Sequence, residues 1–126
     1  MAFARLVEAA LEGREFELYG DASRSFTYVA DAVAATVGVM ERGTSGAIYN
    51  VGGGEEATMR EAIDVLERVS ARRLEVRAEP AARGDARRTA ADVSLIAREL
   101  GWAPTTQLAD GLAAQWAWAV DRVAAP

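Results

Sequence analysis

Residues 48–63 read IYNVGGGEEATMREAI and bring a strand, a glycine turn and a helix start into direct succession. Residues 47–51 have the composition of a short strand and run straight into three consecutive glycines. Thr58 and Glu61 then form the S/T-x-x-E capping box, in which each side chain satisfies a backbone N–H group at the first turn of a helix. The segment therefore predicts a strand, a turn and a capped helix.

Similar patterns on both sides of this segment predict the rest of the secondary structure. Apolar residues recur at helical spacing in residues 2–12, 31–42, 59–69, 94–100 and 108–123. Strands are predicted at residues 15–19, 26–29, 47–51 and 74–78, and the first two are expected to pair as a hairpin. Residues 80–89 are rich in arginine and are expected to be irregular. The order of elements predicts an α/β fold, with a short, mainly parallel βαβαβ sheet, right-handed crossovers and flanking helices.

The size and composition of the chain are those of one globular domain over residues 1–126. With 126 residues, 51% of them hydrophobic and 26% charged, the chain is long enough to bury a core. A net charge of -5 argues against a nucleic-acid partner, which requires a basic face. No apolar run approaches membrane-spanning length, and the N-terminal segment has the spacing of an amphipathic helix instead of a signal peptide. We therefore expect a cytoplasmic protein with no membrane contact.

The positive side-chain charge of the chain is carried by arginine alone. Its 14 basic residues are all arginines, and the sequence contains no lysine, histidine or cysteine. These absences exclude a Ser-His or Cys-His nucleophile pair, a lysine Schiff base, a Tyr/Lys proton relay and zinc sites built from Cys and His. A guanidinium group stays charged and presents a planar fork of donors to a phosphate. The chain is therefore expected to bind an anion, with no catalytic residue and no metal site of its own.

Four segments have an order and spacing that are specific when taken together. They are SRSFTYVAD (23–31), IYNVGGGEEATMREAI (48–63), RGDARRTAAD (83–92) and ARELGWAPTTQLADGL (97–112). Together they resemble the C-terminal, substrate-binding part of the extended short-chain dehydrogenase/reductases, the NAD-dependent nucleotide-sugar epimerases and dehydratases typified by UDP-glucose 4-epimerase. The resemblance spans nearly the whole chain. It implies a domain that binds a nucleoside-diphosphate sugar.

The resemblance also identifies parts of the family pattern that these residues do not contain. Complete members hold NAD or NADP on a glycine-rich loop of an N-terminal Rossmann part, and they use Tyr-x-x-x-Lys with a Ser or Thr for catalysis. The triplet Gly52-Gly53-Gly54 lacks the G-x-G-x-x-G spacing and is expected to be a turn into the capped helix. The resemblance therefore implies a chain that lacks the Rossmann part, has no cofactor of its own and is inactive alone.

Three residues correspond to substrate-binding positions of the family. Arg24 matches the arginine of R-D-F-T-Y-V, which reaches the diphosphate, although the turn before it is shorter. Arg83 and Asp85 match P-x-R-x-G-D, where the arginine contacts the diphosphate and the aspartate a sugar hydroxyl. Gly84 lets the backbone bend between them, so both side chains are expected to converge on one ligand. The alternatives are a solvated surface position for Arg24 and an exposed loop in which Arg83, Arg87 and Arg88 pair with local carboxylates such as Asp92.

Other polar residues near these segments have simpler structural interpretations. Asp31, Glu55 and Glu56 are predicted to complement helix dipoles. Arg87 and Arg88 are expected to add attraction for an anion without contacting it. Asn50 either binds a ligand or ties down the glycine turn. The three matched residues therefore remain the candidate substrate site.

The family comparison also predicts an exposed surface. In complete members the FTYV and YNVG segments and the helix between them pack with the Rossmann half, so a chain without that half bares sheet edge and apolar surface. We expect a homodimer or a missing Rossmann-domain partner to cover this surface. The competing function is an interaction or structural module whose pocket has decayed. The third alternative is a minimal enzyme whose catalytic groups are only carboxylates and tyrosines.

Overall fold

The computed structural model describes residues 2–124, which form five helices and five short strands. The helices are α1 (Ala2–Glu12), α2 (Val29–Arg42), α3 (Met59–Ser70), α4 (Ser94–Leu100) and α5 (Leu108–Ala124). The strands are β1 (Phe16–Tyr19), β2 (Ser23–Ser25), β3 (Glu56–Thr58), β4 (Val76–Glu79) and β5 (Arg88–Thr89).

The described strands form two small sheets. β1 and β4 are parallel, with Phe16 opposite Val76 and Tyr19 opposite Glu79. β2 lies in the middle of the second sheet, antiparallel to β3 and parallel to β5. Most strand pairings are therefore parallel, and the α/β class with a short, mainly parallel sheet is confirmed.

Three details of the predicted topology are wrong. β1 pairs with β4 and forms no hairpin with residues 26–29, because residues 26–28 are irregular and Val29 begins α2. Residues 47–51 are not a strand: Ile48 is 86% exposed, and no strand within residues 2–124 pairs with this segment. A β-type sequence forms a strand only where another strand supplies hydrogen bonds. The single βαβαβ sheet is therefore replaced by the two small sheets.

The core lies between α1, α3, α5 and the inner face of β1. Its fully buried large side chains come from the three helices: Leu6, Ile63, Leu66 and Leu112. Phe16 and Leu18 add the alternate residues of β1. The predicted stripe of α5 is buried at Leu108 but not near the end of the helix, where Val123 is 75% exposed. The last turns of α5 therefore contribute little to this core.

Helix ends follow the local signals of the sequence. The predicted capping box is present, since Thr58 Oγ1 accepts from Glu61 N at 3.2 Å and Glu61 Oε2 accepts from Thr58 N at 2.8 Å. Gly13 and Gly101 follow α1 and α4 with φ angles of 65° and 66°, a left-handed conformation that glycine adopts without strain. The predicted bounds of α1 and α4 are confirmed. They could be predicted because the glycine that ends each helix is a local signal.

Asp31 does more than complement the dipole of α2. It is 8% exposed, and its carboxylate accepts hydrogen bonds from Thr106 N at 3.0 Å and from Thr105 N and Oγ1 at 3.3 and 3.1 Å. The backbone N–H of Thr106 is the largest cause that lowers the pKa of Asp31, against desolvation, which raises it. Trp102 Nε1 donates to the Asp31 carbonyl oxygen at 3.0 Å. One residue thus fastens α2 to the segment between α4 and α5.

One side of α2 is exposed and apolar. Val29, Val33, Val37 and Met40 are 65, 56, 41 and 78% exposed, and these four side chains form what we call the α2 face. The helix has no charged residue between Asp31 and Glu41, near its end. Monomeric proteins rarely expose contiguous apolar patches larger than a few hundred Å². The apolar surface that the sequence led us to expect is therefore present, on α2.

Candidate anion-binding site

Arg24 and Asp85 meet, although they lie 61 residues apart in the chain. Arg24 Nη2 donates to Asp85 Oδ1 at 2.7 Å. Arg24 Nη1 donates to the carbonyl oxygens of Ser23 and Ala86, both at 2.8 Å. The side chains of the ion pair are 26% and 42% exposed, so solvent and a ligand can reach both groups. The site is a fixed guanidinium with a carboxylate beside it.

The two sheets together bring these side chains to one place. The carboxyl ends of the parallel strands β1 and β4 lie side by side, and Gly20 N donates to Glu79 O at 3.0 Å there. The chain after β1 continues into β2, which holds Arg24, and the chain after β4 continues into residues 80–87, which hold Asp85. Ligands of open α/β sheets bind outside the carboxyl ends of parallel strands. Both candidate residues lie in the segments that leave this edge of the β1–β4 sheet.

Arg83 belongs to the same loop but is not held in place. Its side chain is exposed and makes no hydrogen bond or ion pair within residues 2–124. The predicted alternative partner, Asp92, accepts a hydrogen bond from Ser94 N instead. In this chain Arg83 directly precedes Gly84, whereas P-x-R-x-G-D has one residue between the arginine and the glycine. Arg83 is therefore near Asp85 in the chain, but Arg24 is the arginine that contacts Asp85.

Glu56 and Arg88 form a second ion pair, next to the first along β2. Arg88 Nε and Nη2 donate to the two carboxylate oxygens of Glu56, each at 2.7 Å. The hydrogen bonds from Arg88, followed by the one from Ser23, lower the pKa of Glu56 to about 2. Glu56 is thus the partner of an arginine on another strand, not a charge at a helix dipole as predicted from the sequence. The partners are 32 residues apart in the chain, and only the strand order β3-β2-β5 brings them together.

The glycine turn has a structural role. A Cβ on Gly54 would overlap the carbonyl oxygen of Phe26, and the φ angle of Gly54 is +101°. Gly53 O accepts a hydrogen bond from Thr27 Oγ1 at 2.7 Å. Asn50 Nδ2 donates to a backbone oxygen, Asp92 O, at 3.2 Å. These contacts favour the interpretation of the triplet as a turn that packs closely against residues 26–27.

An apolar cavity of about 630 Å³ lies away from the ion pairs, between α1, α5 and residues 26–29. Phe3, Tyr28 and Trp118 are among its lining residues, and neither Arg24 nor Asp85 is.

Within residues 2–124 no group of three or more carboxylates is placed to hold a metal ion. The helices found there are each too short or too polar to cross a bilayer.

The arrangement is that of an α/β domain with a polar site in the segments that follow two parallel strands. Known proteins share the fold. The family model of GDP-mannose 4,6-dehydratase matches residues 2–115. A dTDP-glucose 4,6-dehydratase of Streptomyces griseus is 38% identical over 117 residues, a match that covers 90% of this chain and 36% of that enzyme. The chain therefore belongs to the GDP-mannose 4,6-dehydratase family, among the extended short-chain epimerases and dehydratases.

Solved structures of the family contain the same fold with ligands. UDP-glucuronic acid 4-epimerase from Bacillus cereus, solved with UDP-glucuronic acid and NAD, is 32% identical and superposes with a TM-score of 0.90. UDP-glucose 4-epimerase from Thermotoga maritima, solved with UDP-glucose, is 27% identical with a TM-score of 0.89. The matches cover 97% and 98% of this chain but only 40% of each enzyme. The chain thus spans about two fifths of the length of these solved relatives.

Proposed function

We propose that this chain forms the part of an epimerase or dehydratase that binds a nucleoside-diphosphate sugar. The observation that carries the proposal is the ion pair between Arg24 and Asp85, which lie in the segments that follow β1 and β4. Relatives solved with UDP-glucuronic acid or UDP-glucose support the ligand class. The base and the sugar are left open.

In this proposal Arg24 and Arg83 contact the diphosphate. Ser23 O and Ala86 O hold Nη1 of Arg24 in place, while Nε has no partner among the described residues. A phosphate oxygen that approaches Nη2 replaces Asp85 Oδ1. The charge-assisted hydrogen bond from Arg24 to the carboxylate is thereby exchanged for one to the phosphate. The released Asp85 carboxylate then accepts from a sugar hydroxyl. Arg83, exposed in its loop, adds a second positive charge at the diphosphate.

A companion part supplies the chemistry in this proposal. The B. cereus relative holds NAD, and these 126 residues contain neither G-x-G-x-x-G nor Tyr-x-x-x-Lys. The α2 face is the surface that we assign to packing against a dinucleotide-binding part. It is apolar and free of charge, and the matched relatives are more than twice as long as the chain. We propose no oxidoreductase activity for the chain alone.

Ligand titration tests the binding proposal. UDP-glucose, dTDP-glucose and NAD are titrated separately into the full chain, with heat of binding and thermal unfolding as readouts. A diphosphate sugar at about one hundred times its dissociation constant adds about 2.7 kcal/mol to the free energy of unfolding. We expect Arg24→Ala and Arg83→Ala to weaken binding. Arg77→Ala is the matched control, since Arg77 pairs with Glu15, Glu17 and Glu79 on the other sheet.

A second candidate function has its own support. Asp85 neutralises Arg24 and Glu56 neutralises Arg88, so two arginines near the site already have carboxylate partners. The α2 face also leaves an apolar surface for a protein partner. These features favour an interaction module, assembled as a homodimer, whose pocket no longer binds. Absence of binding to every diphosphate sugar, together with a dimer mass in light scattering, would select this function. The cytoplasmic location is a further proposal, which cell fractionation tests.

A further inference from the structure

Glu56 links all three strands of the second sheet. In the backbone register Ser25 is opposite Glu56, and Ser23 is opposite both Thr58 and Arg88. The Glu56 side chain reaches across β2, because its Oε1 accepts from Ser23 Oγ at 2.6 Å as well as from Arg88. One carboxylate thus joins β3, β2 and β5 through side chains.

β5 is the element that needs such a link. It is two residues long, and its register with β2 consists of Ser23 opposite Arg88 and Arg24 opposite Thr89. Only one further backbone hydrogen bond, from Ser23 N to Arg87 O at 2.9 Å, extends the pairing. A strand with so few ladder bonds is held weakly by its backbone. The Arg88 side chain, bonded twice to Glu56, supplies the missing attachment.

The position of β5 determines the position of the candidate site. Asp85 and Ala86 lie just before β5, separated from it by Arg87, and both contact Arg24. If β5 slipped or detached from β2, the Ala86 carbonyl oxygen and the Asp85 carboxylate would leave Arg24 together. The guanidinium would then keep only its bond to Ser23 O, which does not fix its direction.

We infer that Glu56 is a positioning residue of the anion site, which acts through Arg88 to hold residues 85–89 against Arg24. The inference rests on the proposed function for its effect on ligand binding, but not for its effect on the loop. Glu56 itself does not contact the ligand. Its carboxylate is charged at any pH above about 3, since hydrogen bonds from Arg88 and Ser23 hold its pKa at about 2.

The first test compares Glu56→Gln with the wild-type chain in two measurements. The amide cannot accept from both Arg88 nitrogens, because its NH2 group meets a donor. Losing one charge-assisted hydrogen bond corresponds to about a tenfold change in an equilibrium. We expect amide hydrogen exchange of residues 85–89 to become about tenfold faster, and UDP affinity to fall by a similar factor. Exchange and affinity equal to those of the wild type would overturn the inference.

Two controls separate positioning from general damage. Glu17→Gln changes a partly exposed carboxylate that also pairs with an arginine, Arg77, but lies on the β1–β4 sheet. It is expected to leave exchange of residues 85–89 and UDP affinity unchanged. The exchanged pair Glu56→Arg with Arg88→Glu restores the ion pair and is expected to recover most of the protection and affinity. Failure of the exchanged pair to recover either would contradict a role through Arg88.

The two measurements also separate this inference from the proposed function. If the wild-type chain binds neither UDP-glucose nor dTDP-glucose, the proposed function fails, while exchange of residues 85–89 still decides whether Glu56 positions the loop. If Glu56→Gln unfolds the chain, Ser23→Ala provides a milder change that removes one donor to Glu56 and leaves Arg88 in place. It is expected to accelerate exchange of residues 85–89 by a smaller factor, and unchanged exchange would count against the inference.

Discussion

Replacing Asp31 tests how the segment between α4 and α5 is held. In Asp31→Ala the three hydrogen bonds from Thr105 and Thr106 are lost together. A hydrogen bond to a charged group contributes about 1.5–3 kcal/mol, and burial of the carboxylate offsets part of this. We expect Asp31→Ala to lower the free energy of unfolding by about 3–5 kcal/mol.

Asp31→Asn separates geometry from charge at the same position. Its oxygen can take the place of Oδ2, which accepts from Thr105 N and Thr106 N, and its NH2 group can donate to the Thr105 hydroxyl. We therefore expect Asp31→Asn to cost only about 1 kcal/mol at neutral pH. Urea unfolding followed by tryptophan fluorescence measures both variants, since Trp102 donates to the Asp31 backbone. Asp64→Asn, an exposed position on α3, is the matched control.

The pH dependence of these variants adds a second criterion. The pKa of Asp31 is below its ordinary value of 3.8 in the folded chain, so the unfolded chain binds a proton first as the pH falls. The stability that the charged carboxylate contributes is complete above the ordinary pKa and is lost as the pH falls through the folded pKa. Asp31→Asn has no carboxylate to protonate at this position. The difference in free energy of unfolding between this variant and the wild type therefore decreases as the pH falls. Equal effects of Ala and Asn, or an Ala variant within 1 kcal/mol of the wild type, would refute the reasoning.

Three further predictions concern the glycine turn, the helix cap and the α2 face. Gly54→Ala overlaps the Phe26 carbonyl oxygen and is expected to cost more than 2 kcal/mol in urea unfolding, whereas Gly46→Ala, also at positive φ but in open space, costs about 1 kcal/mol. Thr58→Ala removes the capping box and is expected to cost about 1 kcal/mol by the same assay; no loss would refute a stabilising cap. Val37→Asp is expected to leave thermal stability nearly unchanged, because Val37 is 41% exposed. It is expected to reduce self-association or partner binding in light scattering, and unchanged association would exclude the α2 face as the contact.

Features that depend on neighbouring residues could be read from the sequence. The bounds of α1 and α4, the capping box of α3 and the glycine turn each follow from signals within about one helical turn. The strand predicted at residues 47–51 is wrong: the composition of the segment is β-like, but no described strand pairs with it. The predicted hairpin is wrong for a related reason. The partner of β1 is β4, which is separated from β1 in the sequence by two helices.

In the candidate site, too, single residues could be predicted from the sequence, but contacts between distant residues could not. Arg24 and Asp85 were identified as single residues by their resemblance to family positions, but their contact depends on β5 lying beside β2. The motif predicts that Asp85 acts together with Arg83, two residues away in the chain, whereas Asp85 contacts Arg24. A two-residue strand such as β5 has no periodicity to detect, so neither its pairing nor the Glu56–Arg88 ion pair could be predicted.

The contacts of Arg24 explain why an arginine suits this position better than a lysine would. Its Nη1 donates to two carbonyl oxygens, so protein contacts alone set the plane of the guanidinium. In the proposed complex only the Asp85 contact at Nη2 changes, and the arginine itself need not reorganise. An ammonium group has no such plane and could not be held through one nitrogen while another binds. The restriction of basic side chains to arginine is thus consistent with a site that orients an anion and does not exchange protons with it.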